Sequence, residues 1–299
     1  MIVQTIEIPE HFFLYCALLF NNNESVRYSK NTENLKTAVT AILERNEVEH
    51  ISMPDHRYQY LLSVLNSNNY EPTEETRKSH DDVLKYVKSL SIIPEMQELW
   101  EENRKELSES LKSYDAPIKA VTNLFKTYFD FEPKVSKFCV TRNWDKSGMC
   151  IPTKDAFYIV ASWNSSEPNV RNIIHEIMHA YIDEVELPIS DGIKTIINNL
   201  PEDVFSNYKK AHTVVYESLV RALVVYLSGK DSAIESQEIS EDDIALQLPE
   251  KYLQKLESDS PKVISKNYLF NLTIGTSTVF IIELSMVGLE VRPLELYQR

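Results

Sequence analysis

Glycine is scarce in this 299-residue sequence, which contains only five glycines, no two of them close together. Loops that cradle phosphate groups need several closely spaced glycines, because only then can backbone N–H groups approach the anion. The glycine count therefore excludes both the Rossmann dinucleotide fingerprint and the P-loop. It also disfavours a β-sandwich, since tight hairpin turns use glycine for positive φ.

Cysteines and long apolar runs are scarce as well. Three cysteines, Cys16, Cys139 and Cys150, are too few and too odd in number for a disulfide framework, which favours a reducing compartment. The longest early apolar run, residues 12–20, is preceded by glutamates and by no Lys or Arg, unlike a signal peptide. No segment reaches the roughly 20 apolar residues that span a bilayer. We therefore expect a cytoplasmic protein without a membrane partner.

Basic residues are outnumbered by acidic ones. The chain has 31 Lys and Arg against 45 Asp and Glu, a formal net charge of −14, and the acids are spread along its whole length. Affinity for nucleic acid comes from clustered Lys and Arg that neutralise phosphates. The composition thus predicts no nucleic-acid partner, and a hydrophobic fraction of 43% with so few glycines predicts a mostly helical globular protein.

Hydrophobic spacing predicts where these helices lie, because apolar residues recur at intervals of three and four. After a strand over residues 2–8, the predicted helices cover about 10–20, 33–46, 73–90, 94–113, 116–130, 167–184 and 201–228. Residues 135–142 and 155–163 are rich in Val, Phe, Tyr and Ile, which predicts two strands around a turn containing Gly148. Gly229 is expected to end the last of these helices.

One predicted helix carries a two-histidine metal pattern, His175-Glu176-Ile177-Met178-His179. Four residues are slightly more than one helical turn, so both imidazoles leave the same face about 6 Å apart along the axis. The helix also divides into an apolar stripe and a polar stripe that holds both histidines, Glu176 and Asp183. A solvated helix face without metal is the alternative interpretation.

A third metal ligand is expected downstream, since catalytic zinc commonly takes three protein ligands and keeps one position open. The acidic candidates are Asp183, Glu184, Glu186, Asp191, Glu202, Asp203 and Glu217. Glu217 stands out, because its neighbours are almost wholly apolar and an ionised carboxylate there is costly unless a cation offsets its charge. Arg221, one turn later, can hold that carboxylate, so a buried intrahelical ion pair is the alternative.

The succession of a strand, the residues HEIMHAYID and a glutamate on a later helix resembles the gluzincin, or thermolysin-like, branch of zinc metallopeptidases. The resemblance implies that His175, His179 and Glu217 bind zinc and that Glu176 is the general base of peptide hydrolysis. More loosely, the first strand and helix, HEIMH and YESLVRAL resemble an uncharacterised gluzincin-like family of bacterial and archaeal proteins.

The residues around this motif complete the expected site. Asp183, two turns after His175, is placed to accept a histidine N–H as a supporting residue and matches an aspartate of thermolysin-like enzymes. Residues 161–164 resemble the edge strand that binds the substrate backbone in those enzymes. Arg221 stands where they have an aspartate. The oxyanion donor stays unassigned among His212, Tyr216 and Tyr158.

Taken together, we expect an α+β fold that is predominantly α-helical, with a small antiparallel sheet beside the HExxH helix and a helical N-terminal half. The expected regions are a helical region over 1–130, a gluzincin-like zinc core over 131–229, and an acidic linker with a C-terminal segment over 230–299. The first strand can join the sheet of the zinc core.

The leading functional hypothesis is a zinc-dependent peptidase acting on peptide or protein substrates. A second hypothesis is an inactive gluzincin-like protein in which structural zinc supports binding or assembly. A third is a metal-free helical interaction protein. No oligomeric state is predicted.

Overall fold

The computed structural model describes residues 3–7, 10, 13–14, 30–49, 85–141, 149–152, 156–162, 170–199, 211–230 and 248–286. Its helices are α1 (Lys30–Arg45), α2 (Pro94–Ser113), α3 (Asp115–Tyr128), α4 (Val170–Ile182), α5 (Asp191–Asn199), α6 (Ala211–Ser228), α7 (Leu248–Asp259) and α8 (Lys266–Met286). Its strands are β1 (Val3–Thr5), β2 (Ser136–Thr141), β3 (Met149–Pro152) and β4 (Phe157–Ser162). The predicted class, α+β and predominantly α-helical, is confirmed.

The four described strands form one mixed sheet in the order β1-β2-β4-β3. β1 and β2 run parallel, β2 and β4 run parallel, and only β3 and β4 are antiparallel. The expectation of an antiparallel sheet is therefore corrected. The sheet is mixed because an additional strand, β3, lies between β2 and β4 in sequence, where the sequence predicts only a turn. Two reversals of direction, one on each side of β3, bring β4 back parallel to β2.

The position of β4 explains its composition. Residues 156–161 are all buried, as expected for an interior strand covered on both faces. β4 pairs with β2 along its whole length but with β3 only over residues 157–160, so Ala161 and Ser162 have β2 as their one described neighbouring strand. The substrate-binding edge expected at 161–164 stays a prediction. Trp163 and Asn164 lie outside the described residues. β3 is an edge strand among those described, which tolerates Pro152 and its missing N–H.

The chain divides into two compact units. The first consists of Met1–Lys119 and Lys134–Glu176, and the second of Ala120–Pro133 and Ile177–Arg299. Each unit is thus assembled from two segments, and the division falls inside α3 and inside α4. The three regions predicted from sequence, over 1–130, 131–229 and 230–299, stay a prediction.

In the first unit, α2 begins where the sequence predicts. Pro94 occupies the first turn, where its missing N–H does no harm, and the preceding Ile93 is extended at φ −81° and ψ 117°. One face of α2 is buried through Met96, Trp100 and Leu107, as the helical spacing predicts. The ring of Trp100 packs 5.3 Å from that of Phe13, centroid to centroid.

In the second unit, an aromatic cluster lies against the later part of α4. The ring of Tyr181 is surrounded by Phe125, Phe129 and Phe131, with centroid distances of 5.1, 4.5 and 5.7 Å. α6 ends at Ser228 and is followed by Gly229, which confirms the predicted helix end. The predicted start of that helix at residue 201, the turn at Gly148 and the acidic linker lie outside the described residues.

Two helices differ from the expectations. α5 was not predicted at all, because its short sequence DGIKTIINN offers only two turns of periodicity. The apolar C-terminal stretch, whose sequence favours neither helix nor strand, is helical through residue 286 in α8. Within the described ranges, no helix combines the length and the hydropathy needed to cross a membrane.

Candidate metal centre

The packing of α4 determines which of its side chains reach the site. Ile173, Ile174, Ile177, Met178 and Tyr181 are fully buried, each with 0% exposure, while Val170 is half-buried. The apolar stripe predicted from sequence is therefore anchored in the core. The two histidines lie on another face of the same helix, and both are half-buried.

Glu217 on α6 meets these histidines. One ligand atom from each of His175, His179 and Glu217 can be chosen so that all three lie within 4.8 Å of one another. His179 Nε2 lies 3.2 Å from Glu217 Oε1. Ligand atoms on a tetrahedral zinc ion, with bonds of about 2.0–2.1 Å, lie about 3.3 Å apart. This separation of His179 and Glu217 is therefore compatible with two ligands of one ion, as it is with a direct ion pair.

The chemistry of the donor set also fits a metal. Two imidazole nitrogens and one carboxylate oxygen are ligands that zinc and other first-row divalent ions accept. No other group of three or more His, Cys, Asp or Glu with this convergence occurs in the described part of the chain. The three residues, which we call the His-His-Glu triad, can hold a metal ion.

The two oxygens of Glu217 face different partners. Oε1 is the atom near His179, whereas Oε2 lies 3.6 Å from Nε of Arg221, one helical turn later. The side chain of Glu217 is only 19% exposed, in a helix that is mostly apolar. The sequence suggested an ion pair and a metal ligand as alternatives for Glu217, and the geometry accommodates both at once.

Glu176, between the two histidines, is more buried than its place on the polar stripe suggests. Its residue exposure is 7%, against the half-buried histidines on either side. A carboxylate held in a partly dry environment is a stronger hydrogen-bond acceptor than one in bulk water. This burial restricts the ways in which Glu176 can meet a substrate or a water molecule.

Asp183, the predicted supporting residue, lies at the exposed C-terminal end of α4. Although the residue as a whole is exposed, surrounding atoms desolvate its carboxyl and raise its pKa, while the nearby His179 and His212 oppose this shift. Its backbone N–H donates to the carbonyl oxygen of His179 at 2.9 Å. Acceptance of a histidine N–H by its carboxylate stays a prediction.

The remaining acidic candidates are occupied elsewhere or lie at the surface. Glu184 pairs with Lys266 at 3.9 Å, and Asp191 with Lys194 at 2.8 Å at the start of α5. Glu186 is exposed. Glu202 and Asp203 lie outside the described residues. Among the described candidates, the geometry therefore singles out Glu217, the one that the apolar surroundings indicated.

The three residues considered as oxyanion donors have different surroundings. Tyr158 is buried in β4, and its hydroxyl accepts a hydrogen bond from Lys137 Nζ at 3.0 Å. His212 is exposed and stacks on Tyr216, with ring centroids 4.0 Å apart. The Tyr216 hydroxyl donates to the Val185 carbonyl oxygen at 2.6 Å, a tie that sequence reasoning missed because it joins residues 31 positions apart.

Comparisons of this chain with protein-family models, with curated proteins and with solved structures return no match. The resemblance to gluzincins therefore rests on the sequence pattern alone, which is a strand, the residues HEIMHAYID and a later glutamate with the flanking residues that match.

Proposed function

We propose that the protein is a zinc-dependent hydrolase of peptide bonds. The observation that supports this most is the convergence of His175, His179 and Glu217 within 4.8 Å, with Glu176 on the same helical turn as the two histidines. Two histidines and a carboxylate leave one coordination position open, as hydrolytic zinc sites require. A purely structural zinc site more often uses four protein ligands.

The residues divide the chemistry among them. When bound, zinc would supply a Lewis acid that polarises the scissile carbonyl and acidifies water. The triad would hold the ion, and Arg221 would keep Glu217 oriented through its contact at 3.6 Å. The Glu176 carboxylate would accept a proton from the attacking water and pass it to the leaving amine.

The burial of Glu176 favours a second candidate function. A general base must reach a water molecule beside the substrate, and a side chain on a residue exposed by only 7% has limited access to one. In this alternative, a metal ion clamps α4 to α6 and stabilises a binding or assembly protein without hydrolysis. Metal removal would then lower the melting temperature, while no peptide is cut.

One pair of substitutions separates the two functions. Glu176→Gln removes the base but no ligand, so the variant should bind zinc like the wild-type chain. The matched control is Glu186→Gln, which changes an exposed glutamate beyond the end of α4. Zinc per chain is measured by elemental analysis after dialysis, and cleavage is followed by mass spectrometry on a broad peptide library.

The hydrolase predicts about one zinc per chain in all three proteins and loss of cleavage by at least about 100-fold in Glu176→Gln alone. Cleavage that persists in Glu176→Gln would contradict the assigned base. Zinc binding without any cleavage by the wild-type chain would support the structural alternative. A wild-type chain that takes up no zinc would overturn both functions.

A further inference from the structure

Tyr216 links α6, the helix of Glu217, to the segment that directly follows α4, the helix of His179. Its hydroxyl donates a hydrogen bond to the Val185 carbonyl oxygen at 2.6 Å and accepts one from the Leu187 N–H at 3.4 Å. Val185 and Leu187 are both buried, at 4% and 7% exposure. One side chain of α6 therefore fastens two backbone groups of the segment that follows α4.

This segment is itself joined to α4 by short-range hydrogen bonds. The Asp183 N–H donates to the carbonyl oxygen of His179, and the Val185 N–H to that of Ile182, both at 2.9 Å. Backbone hydrogen bonds therefore hold the segment 183–185 to the end of α4, and the Tyr216 hydroxyl holds the same segment to α6. The next residue after Tyr216 is Glu217, whose carboxylate meets His179 at 3.2 Å.

From this geometry we infer that Tyr216 is a positioning residue of the metal centre, which sets the distance between His179 and Glu217. The inference rests on the proposed metal-binding function. Without the hydroxyl, the post-α4 segment and α6 lose their shared bonds, and the ligand pair has more freedom to separate. A site whose ligands must first be ordered binds its metal more weakly, because ordering them costs conformational entropy.

Tyr216→Phe tests this directly, because it deletes the hydroxyl and keeps the ring that stacks on His212. Tyr226→Phe is the matched control, a tyrosine of the same helix that is 5% exposed and lies beside Lys230. The probe is Co²⁺, whose visible absorption reports both occupancy and coordination geometry. Circular dichroism at the same temperature establishes that each variant is folded.

We expect Tyr216→Phe to bind Co²⁺ about 10-fold more weakly than the wild-type chain, the scale seen when supporting residues of metal sites are lost. Tyr226→Phe should bind like the wild-type chain. Unchanged affinity in Tyr216→Phe, or equal weakening in both variants, would overturn the positioning role. A wild-type chain that binds no Co²⁺ contradicts the metal centre itself, which is a separate result.

A measurement on the unaltered chain covers the case in which Tyr216→Phe does not fold. Coupling is reciprocal, so if the hydrogen bonds of Tyr216 favour metal binding, bound metal must in turn stabilise those hydrogen bonds. Adding Zn²⁺ should slow amide hydrogen exchange at Leu187 at least several-fold, while the amides of α2 exchange at their former rate. If exchange at Leu187 is insensitive to Zn²⁺, the hydrogen bonds of Tyr216 are independent of metal binding, and the positioning role is overturned.

Discussion

Replacing Tyr181 by phenylalanine should stabilise the protein, although it removes a polar atom from a well-packed core. Tyr181 is 0% exposed, and its hydroxyl has no hydrogen-bond partner among the described residues. A buried polar group left without a partner costs about 1–3 kcal/mol relative to one that is solvated. Phenylalanine keeps the ring contacts with Phe125, Phe129 and Phe131, so the deletion leaves the packing of the cluster in place.

The expected gain in the free energy of unfolding is therefore about 1–3 kcal/mol. Urea denaturation measures it, and a rise in the melting temperature of roughly 2–4 °C per kcal/mol should accompany it. Tyr216→Phe provides the contrast, because that hydroxyl donates to Val185 at 2.6 Å. Its loss should destabilise the chain by about 1 kcal/mol.

Tyr181→Phe should also change how the stability of the protein falls at alkaline pH. Burial, and secondarily the charge of Glu132, raises the pKa of Tyr181 in the folded protein. The folded chain then holds this proton where the unfolded chain releases it, so stability is present below about pH 10 and falls as the pH rises further. Tyr181→Phe removes that contribution. A variant that is destabilised by more than about 1 kcal/mol at neutral pH would show that the hydroxyl is hydrogen-bonded and refute the reasoning.

Three further outcomes are expected elsewhere in the chain. Leu219→Ala on α6, a residue with 0% exposure, should lower the free energy of unfolding by about 2–5 kcal/mol in urea denaturation, and a loss below 1 kcal/mol would contradict close packing there. Burial raises the pKa of Cys139 to about 12, so its peptide should remain unlabelled by iodoacetamide at pH 8 until urea unfolds the chain, whereas half-buried Cys150 reacts first. Burial also raises the pKa of Tyr252 to about 12, so Tyr252→Phe should flatten the loss of stability between about pH 10 and about pH 12, measured by urea midpoints across that range. An unchanged slope would argue that Tyr252 is solvated.

Local patterns in the sequence predicted the helices well. Pro94 and Gly229 mark helix boundaries through the backbone itself, and the stripe around Ile177 follows from a 3.6-residue period. The candidate ligand Glu217 could also be identified from sequence, because an ionised side chain in an apolar helix needs a specific partner. Each of these signals involves residues within a few turns of one another.

Pairings between distant residues could not be predicted in the same way. The direction of β4 depends on β3, whose four residues are too few to show alternation and include a proline. The hydrogen bond from Tyr216 to Val185 cannot be predicted from the sequence, because a tyrosine in an apolar helix is equally suited to packing in a core. The burial of Glu176 likewise depends on what packs over α4, which the helix period alone does not reveal.

The partner of β1 has a consequence for how the chain folds. Val3 lies opposite Ser136, a sequence separation of 136 − 3 = 133 residues, and the first compact unit ends only at Glu176. Closing so long a loop costs entropy before any pairing stabilises it, and structures dominated by such contacts fold slowly. At about 5–20 residues per second, the ribosome needs roughly 7–27 s to add those 133 residues. During synthesis, the strand Val3–Thr5 therefore cannot pair until β2 has been made, and the local helices α1 and α2 have time to form first.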